Sequence, residues 1–398
     1  MRILEIAGGN ASGFAGMVLA SLGAEVVRIE TVTGGSFEDH PTPNHDEALD
    51  VYLHRRKRRI TLELRKRAGA SAFVELAKSA DGVIEDLGPG GLARLGLSFR
   101  RLHRANRNLV VASVSPFGQY GPRANWQASE LVVQAMGGIV HSTGFEGEPG
   151  LRVHGTPAHF IAGIHAATAV LAGVLGVGLG AERGVHIDIS MEEAWMHHWV
   201  RHIQQWAYSG HGMLREERGT GRQGFPHTVM TADGWLYVLA LNADWEPFAV
   251  FLGLEEFAAR PWNDSKTRVR GWEEIEPRYL ASLGSKSRYD WFAGAAKMGY
   301  TFAPIHDAMA VVASVQAAAR GAFERLAFAD ETVMAPRLPF AATMNEPRPN
   351  RVSLPGADTI EVLTEAGWDA DRLESLRSAG IIGPNSPTDA TSEKRNNP

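Results

Sequence analysis

The sequence predicts an α/β fold, with a large domain on a parallel β-sheet and a smaller α+β domain after it. Short β-rich runs alternate with helical patterns in the first half of the chain, which is the order typical of a parallel sheet covered by helices on both faces. The chain has 398 residues, too many for one small core and enough for two domains. The composition changes after about Gly210, near the predicted start of the second domain.

Strand and helix patterns follow one another from the first residues onward. Candidate helices lie between several of the strands, at Met17–Leu22, Ala68–Ala80 and Ser98–Ala105. Ligands of such sheets usually bind at the carboxyl ends of the strands, so the turns that follow the strands are candidate sites. The candidate strands are Ile3–Ile6, Glu25–Glu30, Ile60–Leu64, Gly82–Glu85, Leu109–Val114 and Val185–Ile189.

One apolar segment stands out by its length. Phe160 to Gly180 has no formally charged residue and is long enough to span a bilayer. It is rich in alanine and glycine, contains His165 and stands alone in a chain of ordinary polarity. These features favour a buried helix over a membrane span.

The second half carries the patterns of a smaller domain and a C-terminal helical unit. Glu216–Phe225 is predicted to be a loop, and the turn signal Ala232–Gly234 predicts a hairpin between His227–Thr231 and Trp235–Leu241. Further helices are predicted at Trp245–Leu252, Tyr289–Lys297 and Thr359–Ala379. The predicted parts are a large domain over 1–205, a linker and small α+β domain over 206–325, a segment returning to the large domain over 326–383, and a polar, disordered tail over 384–398.

Composition excludes several classes of chemistry. The chain has no cysteine, which excludes disulfides, thiolate metal sites, iron–sulfur clusters and cysteine nucleophiles. Its net charge of −5 gives no general attraction to nucleic acid or to anionic membranes. The N-terminus opens on the strand pattern Arg2–Ile6 and not on a basic and apolar signal segment, so we expect a cytoplasmic protein.

The glycine-rich turn Gly8–Gly13 lies between a strand and a helix, so its backbone amides are candidates for binding a phosphate. It is not a Gly-x-Gly-x-x-Gly fingerprint, because Asn10 takes the place of the second glycine. Glu30 nevertheless lies about 20 residues on, where a ribose-binding acid would lie. A structural turn, a dinucleotide site and a site for another nucleotide-bearing ligand are the three alternatives.

Two polar clusters each have a structural and a functional interpretation. His54–Arg59 is the densest basic run, and it is either a solvated loop before a strand or a grip on phosphate groups. His198 and His202 are four residues apart, close to His197, Glu192 and Glu193, which is a metal-ligand spacing. No glutamate follows the first histidine as zinc proteases require, so a solvated or inter-subunit helix face is preferred and no metal is predicted.

An ordered series of segments resembles the class III CoA-transferases, a family that includes formyl-CoA and carnitine CoA-transferases and α-methylacyl-CoA racemase. The resemblance covers roughly residues 1–380. Arg56–Leu64 is similar to the family's Asn-Lys-Arg-Ser-Ile-x-Leu-Asp-Leu, and Ile84–Gly96 to its Glu-Asn-Phe-x-Pro-Gly element. The other segments, in order, are Leu4–Ala7, Leu19–Glu30, Val114–Pro122, Gln134–Gly138, Asp188–Met191, Thr231–Gly234 and Ala303–Ile305.

The resemblance implies a Rossmann-like large domain in an interlocked dimer, with CoA as substrate and no permanently bound cofactor. It implies an active site at the boundary between subunits. Because Lys57 and Arg94 are cations, they suit phosphate groups, whereas Asp86 suits adenine or ribose. The positions that the resemblance assigns to CoA are Gly9, Asn10, Ala11, Lys57, Asp86, Leu87 and Arg94.

The resemblance also implies an aspartate nucleophile at the start of the long apolar helix, where this chain has His159. Thr156 and Pro157 make that helix start credible, as N-cap and first-turn residue. The family's aspartate forms a mixed anhydride and then an aspartyl-CoA thioester, which an imidazole cannot form because it has no carboxyl carbon. The resemblance places Ser129 at the position of the racemase's catalytic histidine. The next residue, Glu130, matches an acid that is common in the family.

Four hypotheses follow. The chain is a CoA-binding subunit that pairs with a homologous chain supplying the aspartate, or with itself. Alternatively it is an acyl-CoA enzyme of isomerase, lyase or hydrolase type, with His159 as general base and Glu130 beside it. A dinucleotide-binding oxidoreductase is the third hypothesis. In the fourth, His159 is a core residue and the nucleophile lies elsewhere.

Overall fold

The computed structural model describes most of the chain. The described residues are 1–37, 47–211, 215, 225–239, 244–328, 331–339, 350 and 352–383. The predicted tail over 384–398, most of the predicted loop Glu216–Phe225 and the last two residues of the predicted strand Trp235–Leu241 lie outside them.

Strands and helices alternate through the first part of the described chain. The strands are β1 Arg2–Ile6, β2 Glu25–Glu30, β3 Arg58–Thr61, β4 Gly82–Glu85, β5 Val110–Ser115, β6 His186–Ser190, β7 Thr228–Met230, β8 Trp235–Leu239, β9 Thr301–Pro304, β10 Phe323–Phe328 and β11 Glu331–Pro336. The helices are α1 Asn10–Ser21, α2 Glu47–His54, α3 Arg67–Ala77, α4 Gly91–Arg94, α5 Phe99–Ala105, α6 Glu130–Met136, α7 Ile139–Ser142, α8 Pro157–Gly178, α9 Met191–His198, α10 Val200–Ser209, α11 Trp245–Phe251, α12 Ser265–Arg270, α13 Trp272–Gly284, α14 Arg288–Met298, α15 Ala308–Val312, α16 Val315–Ala319, α17 Thr359–Glu365 and α18 Ala370–Ser378.

The chain folds into two compact units. The first contains residues 1–139, 152–204 and the described residues from 321 onward, and the second contains 140–151 and the described residues between 205 and 320. Residues 140–151 thus join the second unit, although the predicted large domain included them. The predicted boundaries of independently folding domains stay a prediction.

The first unit is built on a parallel sheet of β1 to β6 in the order β3-β2-β1-β4-β5-β6. Because side chains alternate along a strand, Leu4 and Ile6 pack with α3, α17 and α18 on one face, while Ile3 packs with α1 and α8 on the other. The α/β fold and its six predicted parallel strands are confirmed in the described residues.

Strand β3 begins two residues earlier than predicted. Arg58 and Arg59 belong to the strand although both are charged, because Arg58 pairs with Glu25 and Arg59 pairs with Glu30. Carboxylates from other parts of the chain therefore allow cationic residues inside the sheet, which a local hydrophobic pattern cannot indicate.

Helix α8 contains the apolar segment that was predicted to be a buried helix. Its inner face consists of small residues at helical spacing, including Ala158, Ala162 and Ala166, which are fully buried in the layer that contains α1. Its outer face is open in this chain, where Ile164 and Leu175 are 49% and 62% exposed. The segment has the length and composition of a membrane span. The prediction of burial is confirmed for the inner face, and for the outer face it stays a prediction.

The second unit contains an antiparallel sheet in the order β7-β8-β9. The predicted hairpin is present, with Thr231 donating from Oγ1 to the carbonyl of Gly234 in its turn. An aromatic core fills the unit, with Phe225, Phe248 and Tyr279 among its buried members. The C-terminal unit predicted as Thr359–Ala379 is two helices, α17 and α18.

Candidate functional site

Helix α8 begins in the first unit at Pro157, as predicted, but a different residue caps it. Thr156 makes no side-chain capping hydrogen bond. The carboxylate of Glu130, at the start of α6, instead accepts from the backbone N–H of Ala158 at 2.9 Å and from that of His159 at 3.3 Å. A carboxylate is favoured there because the first amides of a helix lack partners within the helix.

The same carboxylate holds the imidazole of His159. The distance between His159 Nδ1 and Glu130 Oε2 is 2.6 Å, and Gln134 Nε2 donates to Glu130 Oε1 at 2.8 Å. Burial opposes ionisation of Glu130, but the hydrogen bonds from His159, Gln134 and Ala158 outweigh it and lower the pKa of the carboxyl below its ordinary value. An ionised Glu130 only accepts, so Nδ1 carries a proton, and in the neutral imidazole the lone pair is then on Nε2.

The start of α8 lies against the glycine-rich turn and the helix that follows it. The rings of Phe160 and Phe14 stack with centroids 4.5 Å apart. Gly163 lies so close to α1 that a Cβ atom there would be 2.7 Å from the carbonyl oxygen of Ala11. His159 is thus one helical turn from a contact with a residue that the sequence analysis assigned to CoA.

The glycine-rich turn itself binds a carboxylate of this chain. Asp86 accepts from the backbone N–H of Gly9 at 2.7 Å, and from the N–H and hydroxyl of Ser12 at 2.9 and 2.7 Å. The prediction that these amides are open to a phosphate is wrong for Gly9 and Ser12, because Asp86 already satisfies them. The structure places Gly9, Asn10 and Ala11 beside Asp86, so this group of predicted contacts lies together.

The acid predicted for a dinucleotide site does not reach a ligand. Glu30 is 1% exposed, and its carboxylate accepts from Arg28 Nε at 3.1 Å and from Arg59 Nη2 at 2.6 Å. A carboxylate enclosed by two guanidinium groups cannot bind a ribose hydroxyl, so the geometry disfavours the dinucleotide hypothesis.

The basic run His54–Arg59 is neither a solvated loop nor a phosphate-binding segment. Lys57 is 2% exposed, and its Nζ donates to Glu5 at 2.6 Å and to the carbonyl of Gly13 at 2.8 Å. Burial lowers the pKa of Lys57 to about 8, although the charge of Glu5 opposes this shift. The predicted direct contact between Lys57 and a CoA phosphate is therefore wrong for this geometry. Lys57 supports the turn from inside the protein.

A cleft of about 210 Å³ lies beyond the carboxyl ends of β2 and β4. Arg94 lines it and donates to the carbonyls of Leu87 and Pro89 at 3.0 and 2.7 Å. Arg65 also lines it, and its guanidinium carbon lies 5.4 Å from the ring centre of Phe37. Two guanidinium groups beside apolar walls suit a ligand that combines phosphate groups with a nucleobase.

Arg65 was missed by the sequence analysis. The signal that could have found it is its position just after β3, because ligands of parallel sheets bind at the carboxyl ends of strands. The predicted residues Leu87 and Arg94 are at the cleft. Glu85 lies behind them in β4, fully buried, and its carboxylate accepts from the N–H of Leu87 at 2.8 Å. Burial raises the pKa of Glu85 to about 7.

The histidines near the start of the second half do not share one helix. The helix is interrupted at Trp199, between α9 and α10, so His198 and His202 are not on one helix face. Their rings stack instead on Trp195 and Trp199. In the described part of the chain, no group of three or more histidine or acidic side chains is placed to hold a metal ion.

Known proteins resemble this chain over most of its length. The family model described as CoA-transferase family III matches residues 1–359. Formyl-CoA:oxalate CoA-transferase of Streptomyces avermitilis is 30% identical over 68% of this chain and 70% of its own. The BbsE subunit of succinyl-CoA:(R)-benzylsuccinate CoA-transferase of Thauera aromatica is 26% identical over 96% and 97%.

Two further comparisons concern subunit composition and fold. The alpha subunit of succinyl-CoA–L-malate CoA-transferase of Chloroflexus aurantiacus is 26% identical over 96% of this chain and 92% of its own. The crystal structure of a CAIB/BAIF family protein from Brucella suis superposes with a TM-score of 0.80 at 24% identity, covering 92% of this chain and 98% of that one. This structure shows that the two chains share a fold.

Proposed function

Because the chain belongs to CoA-transferase family III, we propose that it binds CoA or an acyl-CoA and forms the subunit without a nucleophile in a heteromeric CoA-transferase. Such an enzyme moves CoA between carboxylic acids. The observation that carries the proposal is the imidazole of His159 at the start of α8, where the resemblance implies an aspartate. The interlocked dimer and the cytoplasmic location belong to the same proposal.

Glu130 does not replace the missing aspartate. Its two oxygens accept hydrogen bonds from the amides of Ala158 and His159 and from the side chains of His159 and Gln134. These donors stabilise the ionised carboxylate and make its lone pairs less available for attack on a thioester. The transferase cycle therefore needs a carboxylate from another chain.

The relatives support a shared active site. Two that align with 96% of this chain are named as subunits of CoA-transferases, BbsE and the alpha subunit of the malate enzyme. A homologous second chain is the partner that we propose here. Robust ping-pong transfer of CoA by the purified chain alone, with the acyl group trapped on it, would show that the nucleophile lies elsewhere in this chain.

We place CoA in the cleft between Arg65 and Arg94, with its phosphates at the guanidinium groups and its adenine against Leu87. Gly9, Asn10 and Asp86 lie next to this cleft and complete the proposed contact surface. Ala11, predicted as a CoA contact, is left out of that surface because it is fully buried. Lys57 is left out of it because its ammonium group is buried against Glu5.

Calorimetric titration with CoA tests this placement. We expect Arg65→Ala and Arg94→Ala each to lose on the order of 1–3 kcal/mol of binding free energy, the scale of a charged hydrogen bond. Arg104→Ala is the matched control, since Arg104 is exposed on α5 and does not line the cleft. Unchanged affinity in both cleft variants would remove the assignment of CoA to this cleft.

A further inference from the structure

We propose that Glu130 and His159 form a general-base dyad that hydrolyses an acyl-CoA thioester bound to this chain. The inference rests on the proposed binding of acyl-CoA and adds an activity that needs no second chain. Among the described residues, Glu130 and His159 are the one titratable pair at the start of α8. The proposed transferase role gives this pair no function.

The geometry fixes which nitrogen reacts. Nδ1 of His159 lies 2.6 Å from Glu130 Oε2, and the carboxylate also holds the backbone N–H of His159. Nδ1 therefore donates, and in the neutral imidazole Nε2 has the lone pair that a base needs. The side chain of His159 is 23% exposed, against 11% for Glu130, so water has access to the imidazole while the carboxylate stays enclosed.

The carboxylate is held in place before any substrate binds. Gln134 donates to Glu130 and is itself fixed by Val153, whose N–H donates to Gln134 Oε1 at 2.8 Å and whose carbonyl accepts from Nε2 at 3.0 Å. A fixed carboxylate orients the imidazole and stabilises the imidazolium that forms when Nε2 takes a proton. Glu130 is therefore a positioning residue in this step.

The dyad lies close to the surface where CoA is proposed to bind. His159 precedes Phe160, which stacks on Phe14 of α1, and Gly163 contacts the carbonyl of Ala11. All of these residues belong to the first unit. An acyl-CoA that follows the turn at Gly9 and Asn10 would bring its thioester toward the start of α8.

The step conserves atoms and charge. Nε2 of His159 takes a proton from water while the water oxygen bonds to the thioester carbonyl carbon. The tetrahedral intermediate then collapses with cleavage of the carbon–sulfur bond, and the imidazolium returns the proton to the departing CoA thiolate. The products are one carboxylic acid and one CoA thiol, and no oxidant or reductant takes part.

The test measures thiol release from acetyl-, butyryl- and glutaryl-CoA with a thiol reagent. The chain has no cysteine, so the protein itself gives no background. We expect the purified chain to release thiol faster than buffer does. We expect His159→Gln to lose at least ~10²-fold in kcat with unchanged acyl-CoA affinity, because it removes the base and leaves the bonds between Glu130 and α8.

Two further variants separate a dyad from a structural role. Glu130→Gln should lower kcat at least ~10-fold, because it removes the charge that stabilises the imidazolium. His165→Gln is the matched control, with the same change on the same helix but next to His197 and not Glu130, and it should keep full activity. Circular dichroism checks that each variant is folded.

The outcomes distinguish this inference from the proposed function. If calorimetry shows that acyl-CoA binds but the chain releases no thiol, the dyad inference is wrong and the transferase proposal stands. If deuterium enters the α-carbon of the acyl group without thiol release, His159 is a base for carbon acids and not for water. If no CoA compound binds, both proposals fail.

Discussion

At the start of α8, the carboxylate of Glu130 determines which nitrogen of the His159 imidazole donates a hydrogen bond. Glu130 binds two backbone amides of the helix and the imidazole of His159 together. The helix N-terminus favours a negative group, and in this chain that group comes from α6 and not from position 159. The resemblance to the family implies a carboxylate on the helix itself, at position 159.

Placing a carboxylate at position 159 should introduce covalent chemistry. We expect His159→Asp to form enzyme-bound CoA with an acyl-CoA, because a carboxyl group can form both the anhydride and the thioester. The new carboxyl group would lie beside Glu130, and the N-terminus of α8 offsets part of the repulsion between the two negative charges. Intact-protein mass spectrometry would detect the CoA adduct on the chain.

His159→Asn is the control for this substitution, because it has the size of aspartate but cannot form an anhydride. An adduct on both variants, or on neither of two folded variants that bind CoA, would contradict the prediction. Both variants keep Glu130 and the backbone amides of α8, so they differ only in the group at position 159.

At the scale of elements, the contact between α1 and α8 positions the site. The two helices approach closely because α8 presents alanine and glycine to α1, with Gly163 at the carbonyl of Ala11. Lys57 fixes the other side of α1 by donating to the carbonyl of Gly13. The turn at Gly8–Gly13 is thus held from two sides before any ligand binds.

Gly163→Ala should separate the two helices. Its Cβ would lie 2.7 Å from the backbone oxygen of Ala11, which cannot move aside as a flexible side chain can. We expect a loss of about 1–3 kcal/mol in the free energy of unfolding, the usual scale of overpacking, together with weaker CoA binding. Urea denaturation and calorimetry would measure the two effects.

Gly176→Ala is the matched control on the same helix, since nothing lies within 4 Å of its added Cβ. It should stabilise the chain by up to about 1 kcal/mol, because alanine has the higher helix propensity. Equal effects of the two substitutions would mean that the approach of α8 to α1 does not constrain position 163.

At the scale of the molecule, the exposed apolar face of α8 favours contact with a second chain. Ile164, Leu175 and Leu179 are 49%, 62% and 80% exposed on or next to the helix, whereas the buried residues of its inner face lie between Ala158 and Val170. A helix that is apolar all round is normally buried on all sides. The proposed pairing with a homologous chain would cover this surface.

Leu175→Glu should weaken that pairing without unfolding the chain. A charged side chain in an apolar interface is desolvated without a partner, so we expect the mass measured by light scattering to shift toward one chain. Arg104→Glu, an exposed change of charge on α5, is the control and should leave the mass unchanged. A single-chain mass for the unsubstituted protein purified with its native partners would contradict the pairing.

The sequence by itself determined the family, the six parallel strands, the hairpin of the second unit and the start of α8 at Pro157. These features depend on alternation, turn residues and segment order, which are properties of short stretches of chain. The place of His159 in the first turn of α8 could be predicted for the same reason, since it follows from the helix start at Pro157.

Only the tertiary structure decided what the charged residues do. Lys57 is paired with Glu5, Asp86 with the amides of Gly9 and Ser12, and Glu130 with His159. Each partner comes from a different part of the chain, and a local pattern has no information about which distant carboxylate will meet a given cation or amide. A buried charge is stable only with such a partner, so its role is set by the fold that brings the two together.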